Sequence, residues 1–552
     1  MLAISIFIGI YFGFFGKQQK TTDEYLLGGN AIKTIPVTLS LISSTISSIT
    51  LLSIPPYVYL HGIQYFFVIL SMSIASILVV CLYLPVIVTL ETPNAFEYLK
   101  IRFNKHVQTF ASGIFILQVI LLSPSMVFIP AVAFSEVAGL NVHLISSIVC
   151  IICIFYTTVG GFKAVIWTDV VQFGGILIST IVVLCLVILS ADDFKTVWSK
   201  SRDGQRIDVD FTLDPTIKDG FWPISFGTTV LWMYLFSVHP ACVQKYLSIS
   251  DRNQTKWACI VFSAVVCCLT ALYISIGFVL YTIYKGCDPI STGKIKHTDQ
   301  LLPYFIVDVA DDIYLVKGVF MVGIFSAALS TLSSSFNCLG ATIYGDFVKP
   351  YINRNTSENY VIKLIVTACG TLCLILSLVI DKVGNIVAFT ATTQGPMSGC
   401  IFGLFSLGML FPSSNSKGAM WGIVSSFVIS LCIAIGHEWY KLKGTLSYGI
   451  KPLSVENCTY HFNFTAPMSV TDTNEPFFVF RISNWYYSLI CAGLVIIIGL
   501  IVSWCTKADE KNVDPKLISP AINNLIKKYK SKKDDVNIHN NVEIMTYTFN
   551  KN

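Results

Sequence analysis

Apolar runs long enough to cross a bilayer recur through this sequence, and their recurrence fixes its class before any motif is read. A helix rises about 1.5 Å per residue, so roughly 20 apolar residues cross the hydrocarbon core. Runs of that order stand at 37–60, 65–90, 108–137, 142–160, 167–190, 225–245, 257–284, 316–340, 361–380, 386–411, 418–437 and 482–504, with a shorter one at 2–16. They read as an all-α polytopic membrane protein with about 13 transmembrane helices. Composition agrees. Charged residues are 12% of the 552-residue chain against 54% hydrophobic, too few to coat a water-soluble globule.

Basic residues orient the runs. Lys17, Lys20 and Lys33, then Lys100, Arg102 and Lys105, then Lys163, then Lys245, Arg252 and Lys256, then Lys349 and Arg354 fall on alternate short connections, whereas the connections near His61 and Asn141 carry none. The positive-inside rule then puts the N-terminus outside and the C-terminus in the cytoplasm. The loop 438–480 falls outside and holds two glycan acceptor sequons, at Asn457 and Asn463. Cys287 and Cys458 also fall in outside loops, where thiols oxidise, and whether they pair is open at this stage. The tail 506–552 is basic at Lys527, Lys528, Lys530, Lys532 and Lys533. That charge suits a surface of anionic lipid rather than nucleic acid, and the tail reads as dispensable for transport.

Two runs carry more oxygen than a lipid-facing helix needs. Between Ser326 and Asn337, seven of twelve residues are polar: Ser326, Ser330, Thr331, Ser333, Ser334, Ser335 and Asn337. Each hydroxyl alone is explained by a bond to its own helix's carbonyl, and Ser334 is read that way. As a set they put oxygen on more than one face, which suits a cation that must exchange its water shell for protein oxygens. The run 37–60 combines Ser40, Ser43, Ser44, Thr45, Ser47, Ser48 and Thr50 with Pro55-Pro56. Such a helix is weakened and frees carbonyls at mid-membrane, where secondary transporters hold their cargo. The segment 386–411, with Thr392, Thr393, Gln394, Gly395 and Pro396, is also irregular and suits a gate.

Four stretches carry a family resemblance: Asp23-Glu24-Tyr25-Leu26-Leu27-Gly28-Gly29, the segment from Phe155 through Gly160-Gly161 and Asp169 to Gln172, Val243-Gln244-Lys245-Tyr246-Leu247-Ser248, and Ala341-Thr342-Ile343-Tyr344-Gly345-Asp346. Over residues 1 to about 505 the chain resembles the sodium:solute symporter family, and within it the branch of monocarboxylate, multivitamin and iodide transporters. The resemblance implies a LeuT-like core of inverted five-helix repeats, at about 37–245 and 257–437, working by alternating access. It implies Na+ as the co-transported ion, held by the hydroxyls of Ser330 and Thr331 and the carbonyls of Ala327, Ser43 and Ile46, with Asp169 and Gln172 nearby. Asp169 also admits a second reading, as an interfacial helix cap near Lys163.

The resemblance places the substrate cavity at Ser47, Thr50, Leu122, His239 and Cys242. Here the chain departs from the branch: His239-Pro240-Ala241-Cys242 replaces Asn-Gln-Ala-Gln, Thr50 stands where Gln is frequent, and Leu122 where Tyr is. The ion machinery is kept while the contacts that choose the solute have changed. What this implies is a symporter importing a small organic anion, monocarboxylate or vitamin-like, across the plasma membrane rather than an iodide carrier. An uncoupled sodium-conducting channel or solute sensor on the same fold is the alternative. No HExxH, GxSxG loop or phosphate-cradling glycine motif points to an enzyme.

Overall fold

The computed structural model describes residues 1–16, 21–30, 32–90, 94–310, 313–352, 357–380, 386–446, 448–458, 476–506 and 513–528. Asn463 and the lysines beyond Lys528 lie outside them. In chain order the principal helices are α1 (Leu2–Ile10), α2 (Thr34–Thr45), α3 (Ser48–His61), α4 (Val68–Leu78), α5 (Lys105–Ala138), α6 (Val142–Ser190) and α7 (Thr228–Phe236). They continue with α8 (Pro240–Leu247), α9 (Arg252–Tyr284), α10 (Tyr314–Ile343), α11 (Glu358–Val379), α12 (Ile386–Leu410), α13 (Ser416–Leu442) and α14 (Tyr487–Thr506). Polar side chains mark where several of them start. Asn104, Asn141, Asp251 and Asn415 each accept a backbone N–H of the first turn, of Val107, His143, Asn253 and Gly418.

Among the described residues eight helices are long and apolar enough to cross a bilayer, or ten if each of two bent pairs is one span. The thirteen spans expected are not all separate. Leu2–Phe15 is shorter than a span. The runs 142–160 and 167–190 follow one another in α6 with no loop between them, as two helical stretches broken at Gly161, whose φ of 63° is one only glycine adopts without cost. Lys163 therefore sits within a helix and not in a loop.

The two bent pairs set the architecture. α2 and α3 meet at 52°, and the segment Pro223–Phe236 meets α8 at 44°. Counting α6 as two passes, the second break lies five spans after the first, the spacing of equivalent positions in two five-helix repeats. We therefore place the second repeat's start at Pro223, which moves residues 225–245 out of the first repeat. The expected cause of the first break also changes. Pro55 and Pro56 lie inside α3, and the chain leaves helical geometry upstream of them, at Ile46 and Ser47.

α10 lies along α6 at backbone distance, and small residues allow it. A Cβ at Gly323 would fall 2.2 Å from Ser179 Cβ, and one at Gly175 would fall 2.6 Å from Ser326 Oγ. At one end of the bundle three loops are knitted together. Cys287 and Cys458 are disulfide-bonded. Buried Arg206 donates to the carbonyls of Tyr59, Gly204 and Pro452. Tyr59 donates to Asp288 at 2.6 Å. At the other end Asp346 accepts from Asn94 and Gln108 at 2.5 and 2.6 Å, and Arg102 donates to the carbonyls of Gly408, Phe411, Pro412 and Ser414.

The tail is not wholly separate from the bundle. Ser519 N–H donates to Met409 O at 2.9 Å, Tyr98 Oη donates to Leu517 O at 3.0 Å, and Ile518 is buried. This docked segment, a 3-10 turn over Pro515–Leu517, gives the tail a packing role that its composition did not suggest. Two hydrogen bonds and one buried isoleucine are together worth about 3–5 kcal/mol. Truncation after Asn512 should lower the melting midpoint of the detergent-solubilised protein, whereas truncation after Lys528 should leave it unchanged. Equal midpoints would show that the docked segment stabilises nothing.

Candidate ion and solute site

The break between α2 and α3 supplies free oxygens. With the chain extended at Ile46 and Ser47, the last-turn carbonyls of α2, Ser43 among them, have no helical N–H above them. Ser47 caps the new start by accepting from Thr50 N at 3.2 Å. Against this break lies the hydroxyl strip of α10. Ser43 Oγ donates to Ser330 Oγ at 2.7 Å, and Thr331 Oγ1 donates to Ala327 O at 3.0 Å. Ser43, Ser330 and Ala327 are fully buried and Thr331 nearly so. Ser43 and Ser330 thus meet across the contact between α2 and α10, Ile46 stands at the break itself, and the Thr331 bond runs to the carbonyl four residues back in its own helix.

Beside this cluster lies a charged pair that the sequence reading placed wrongly. Lys245 is no loop residue: it sits in α8, 2% exposed, and its Nζ is 3.0 Å from Asp169 Oδ2. It also donates to Ser40 O at 3.0 Å, Ser44 Oγ at 2.8 Å and Ser334 Oγ at 2.9 Å. Asp169 is fully buried and takes a further bond from Ser40 Oγ at 2.5 Å, so the helix-cap reading near Lys163 is overturned. Ser334 is likewise not a back-bonded packing serine, since its hydroxyl joins both members of the pair. Gln172 donates to Ser5 of α1 at 3.3 Å rather than to any of these serines.

A cavity of about 920 Å³ opens beside the break. Ser47, Thr50, Leu122, His239 and Cys242 all line it, and so do Thr331 and Ser334, so the ion cluster and the cavity share a wall. Leu122, Met126 and Ile129 of α5 face it, as do Trp232 and Leu235 of α7. His239 stands at the second break, its ring edge-on to Phe115 and Tyr234 at 5.7 and 5.4 Å, a packed histidine. Toward the disulfide-bonded loops the lining includes Tyr57, Tyr65 and Trp485, and Asp219 accepts from Tyr57, from Trp485 and from His61. Asp299 lies at that same end and accepts from Ser53 at 2.7 Å. Burial pushes its carboxyl above the ordinary value, and the Ser53 bond opposes the shift.

The sequence reading missed Lys245, Ser334, Ser44, Gln118 and Asp299. One signal pointed to Lys245: an aspartate inside an apolar run needs a cation, and a membrane-buried ionisable residue implies a partner.

A helical bundle broken at two mid-membrane points, with neutral oxygens gathered at one break and a cavity sharing their wall, defines an ion-coupled secondary transporter. The chain belongs to the sodium:solute symporter family, whose profile matches residues 25–425. It is therefore a multi-pass sodium-coupled transporter and not an enzyme. Over 537 residues it is 33% identical to Sodium-coupled monocarboxylate transporter 1 of Xenopus laevis, covering 94% of this chain and 86% of that one. Over 521 residues it is 28% identical to the putative sodium-dependent multivitamin transporter of Drosophila melanogaster, covering 91% and 85%. A solved Na+-coupled sialic acid symporter, in a substrate-bound outward-open state, matches with a TM-score of 0.73 at 22% identity, covering 91% of this chain and 96% of that one. The fold is the LeuT-like one.

Removing one member of a buried ion pair leaves the other uncompensated, at a cost of roughly 3–5 kcal/mol, while replacing both with neutral groups is far milder. Lys245→Met and Asp169→Asn should each sharply reduce the amount of folded protein at the surface. The double variant should recover much of it in thermal-stability and surface-labelling assays. Additive losses in the double variant would show that the two charges do not depend on each other.

Proposed function

We propose that this protein imports a small organic anion, monocarboxylate or vitamin-like, together with Na+ across the plasma membrane. The observation that carries the reading is the shared wall: Thr331 belongs to the ion cluster and also lines the cavity. Sodium at Ser43, Ile46, Ala327, Ser330 and Thr331 would place a positive charge one hydroxyl away from the solute. At a separation of roughly 6 Å and an effective dielectric of about 20, a carboxylate and that ion attract by about 3 kcal/mol. Each therefore binds better with the other present, which is the thermodynamic content of coupling. The neighbouring Lys245–Asp169 pair adds no net charge, so the floor becomes attractive to an anion chiefly when sodium is bound.

The names of the monocarboxylate and multivitamin relatives support an organic anion as the solute. The disulfide supports the outside placement of loops 285–300 and 448–458, because such bonds persist in oxidising compartments. Asn457 is exposed in the second of these loops, and we assign it, with Asn463, as a glycan acceptor. The N-terminus then lies outside and the C-terminus in the cytoplasm. A glycosidase shift lost only when both asparagines are changed to glutamine is the expected result. A shift that persists in the double variant would reverse the orientation.

A hydroxyl lost from a dehydrated cation costs on the order of 1.5–3 kcal/mol. Ser330→Ala and Thr331→Ala should each raise the sodium concentration for half-maximal uptake by roughly ten- to a hundredfold, and Thr331→Ser should largely spare it. If both alanine variants, normalised to surface level, keep wild-type sodium dependence, the ion does not bind here. Substrate-evoked sodium current without accumulation of labelled solute would instead favour an uncoupled channel or sensor.

A further inference from the structure

The cavity has a polar end, a long apolar wall and an acidic rim, and their order determines how an anion lies in it. Gln118 of α5 lines the cavity together with Ser47 and Thr331. Its Oε1 accepts from Tyr234 Oη at 3.0 Å, which fixes the amide plane and leaves the Gln118 N–H donors for the cavity that this residue lines. Lys245 is bonded to Ser44 and Ser334, both of which line the cavity.

From Gln118, α5 carries Leu122, Met126, Ile129 and Val132 along the lining, with Trp232 also on the wall. Fourteen residues of helix between Gln118 and Val132 rise about 21 Å. At the far end is Asp299. The acceptor oxygens of Asp299 offer a carboxylate nothing to bind, whereas Gln118 offers N–H donors, so an anion seated at Gln118 lays its apolar remainder along α5. A cavity of about 920 Å³ lies at the upper end of the roughly 300–1,000 Å³ that encloses a drug-sized ligand. A three-carbon acid would leave most of the apolar wall wet.

We propose that the solute is a monocarboxylate with an extended or aromatic apolar body rather than a two- or three-carbon one, bound carboxylate-first on Gln118. Its body lies along Leu122, Met126 and Trp232. This proposal rests on the reading of the protein as a sodium-coupled organic-anion importer. Gln118 is then the residue that recognises the head group, and Trp232 the one that selects for body length.

The experiment measures labelled uptake of lactate, butyrate, hexanoate, octanoate and 3-phenylpropionate in oocytes, in sodium and in choline, for the full chain at measured surface level. Each added methylene buried on the wall should lower KM by about two- to fourfold from butyrate to octanoate. Gln118→Leu should raise KM for every acid roughly tenfold or more, the cost of a hydrogen bond lost from a charged group. Trp232→Ala should raise KM for octanoate and phenylpropionate while sparing butyrate, a split that general misfolding would not give. The wild-type ranking is decisive without either variant. Lactate or butyrate handled as tightly as octanoate, or wild-type KM in surface-expressed Gln118→Leu, would overturn the proposal and leave sodium-coupled import standing. Absence of sodium-dependent uptake for every acid, and for biotin and pantothenate run beside them, would overturn the importer reading itself.

Discussion

A lysine and an aspartate buried together at membrane depth constrain everything around them. Neither charge is tolerable alone in a low-dielectric interior, so the site exists only where Lys245 of α8, Asp169 of α6, Ser40 and Ser44 of α2, and Ser334 of α10 are brought together. Those contacts tie four helices from distant parts of the chain to one point. Ser43 and Ser330 follow closely on Ser40 and precede Ser334 in their helices, so the same clamp that satisfies the pair also sets the strip of α10 against the broken end of α2.

The division of labour between charged and neutral groups follows from what each must do. A carboxylate and an ammonium held by several hydrogen bonds are expensive to separate, which suits a fixed or slowly moving joint. Hydroxyls bond more weakly and exchange partners easily: Ser43 bonds Ser330 across two helices, while Thr331 bonds the Ala327 carbonyl of its own. The glycines that bring α6 and α10 to backbone distance make the arrangement compact, and the break at Ile46–Ser47 makes it polar without any charged ligand from α2.

The solute side is built differently. Hydroxyls of α3 and α10 line one side, and an apolar wall from α5 and α7 lines another. Asp299 is held at the rim by Ser53, and Gln118 is held by Tyr234.

The sequence by itself determined the membrane class, because apolar runs of bilayer length have no other stable use, and it determined the helix with the hydroxyl strip, because seven polar residues in twelve exceed what back-bonding explains. Through Ser43, Ser330 and Thr331 it also pointed to the residues that gather at the break. It misplaced Lys245, because Gln244, Ser248, Ser250 and Asp251 around it have a loop's composition, whereas the break it expected in the serine-rich run lies at Ile46 and Ser47, upstream of Pro55 and Pro56. Ser334 read as a packing residue for the same reason. A hydroxyl that bonds its own helix and one that bonds another helix's charge are identical in sequence. Only the tertiary structure decided which helices meet, and with that the partner of Asp169, the second broken helix at Pro223–Leu247, and the orientation of Gln118. Each of these is a contact between segments far apart in the chain, and periodicity along one helix carries no information about what lies across from it.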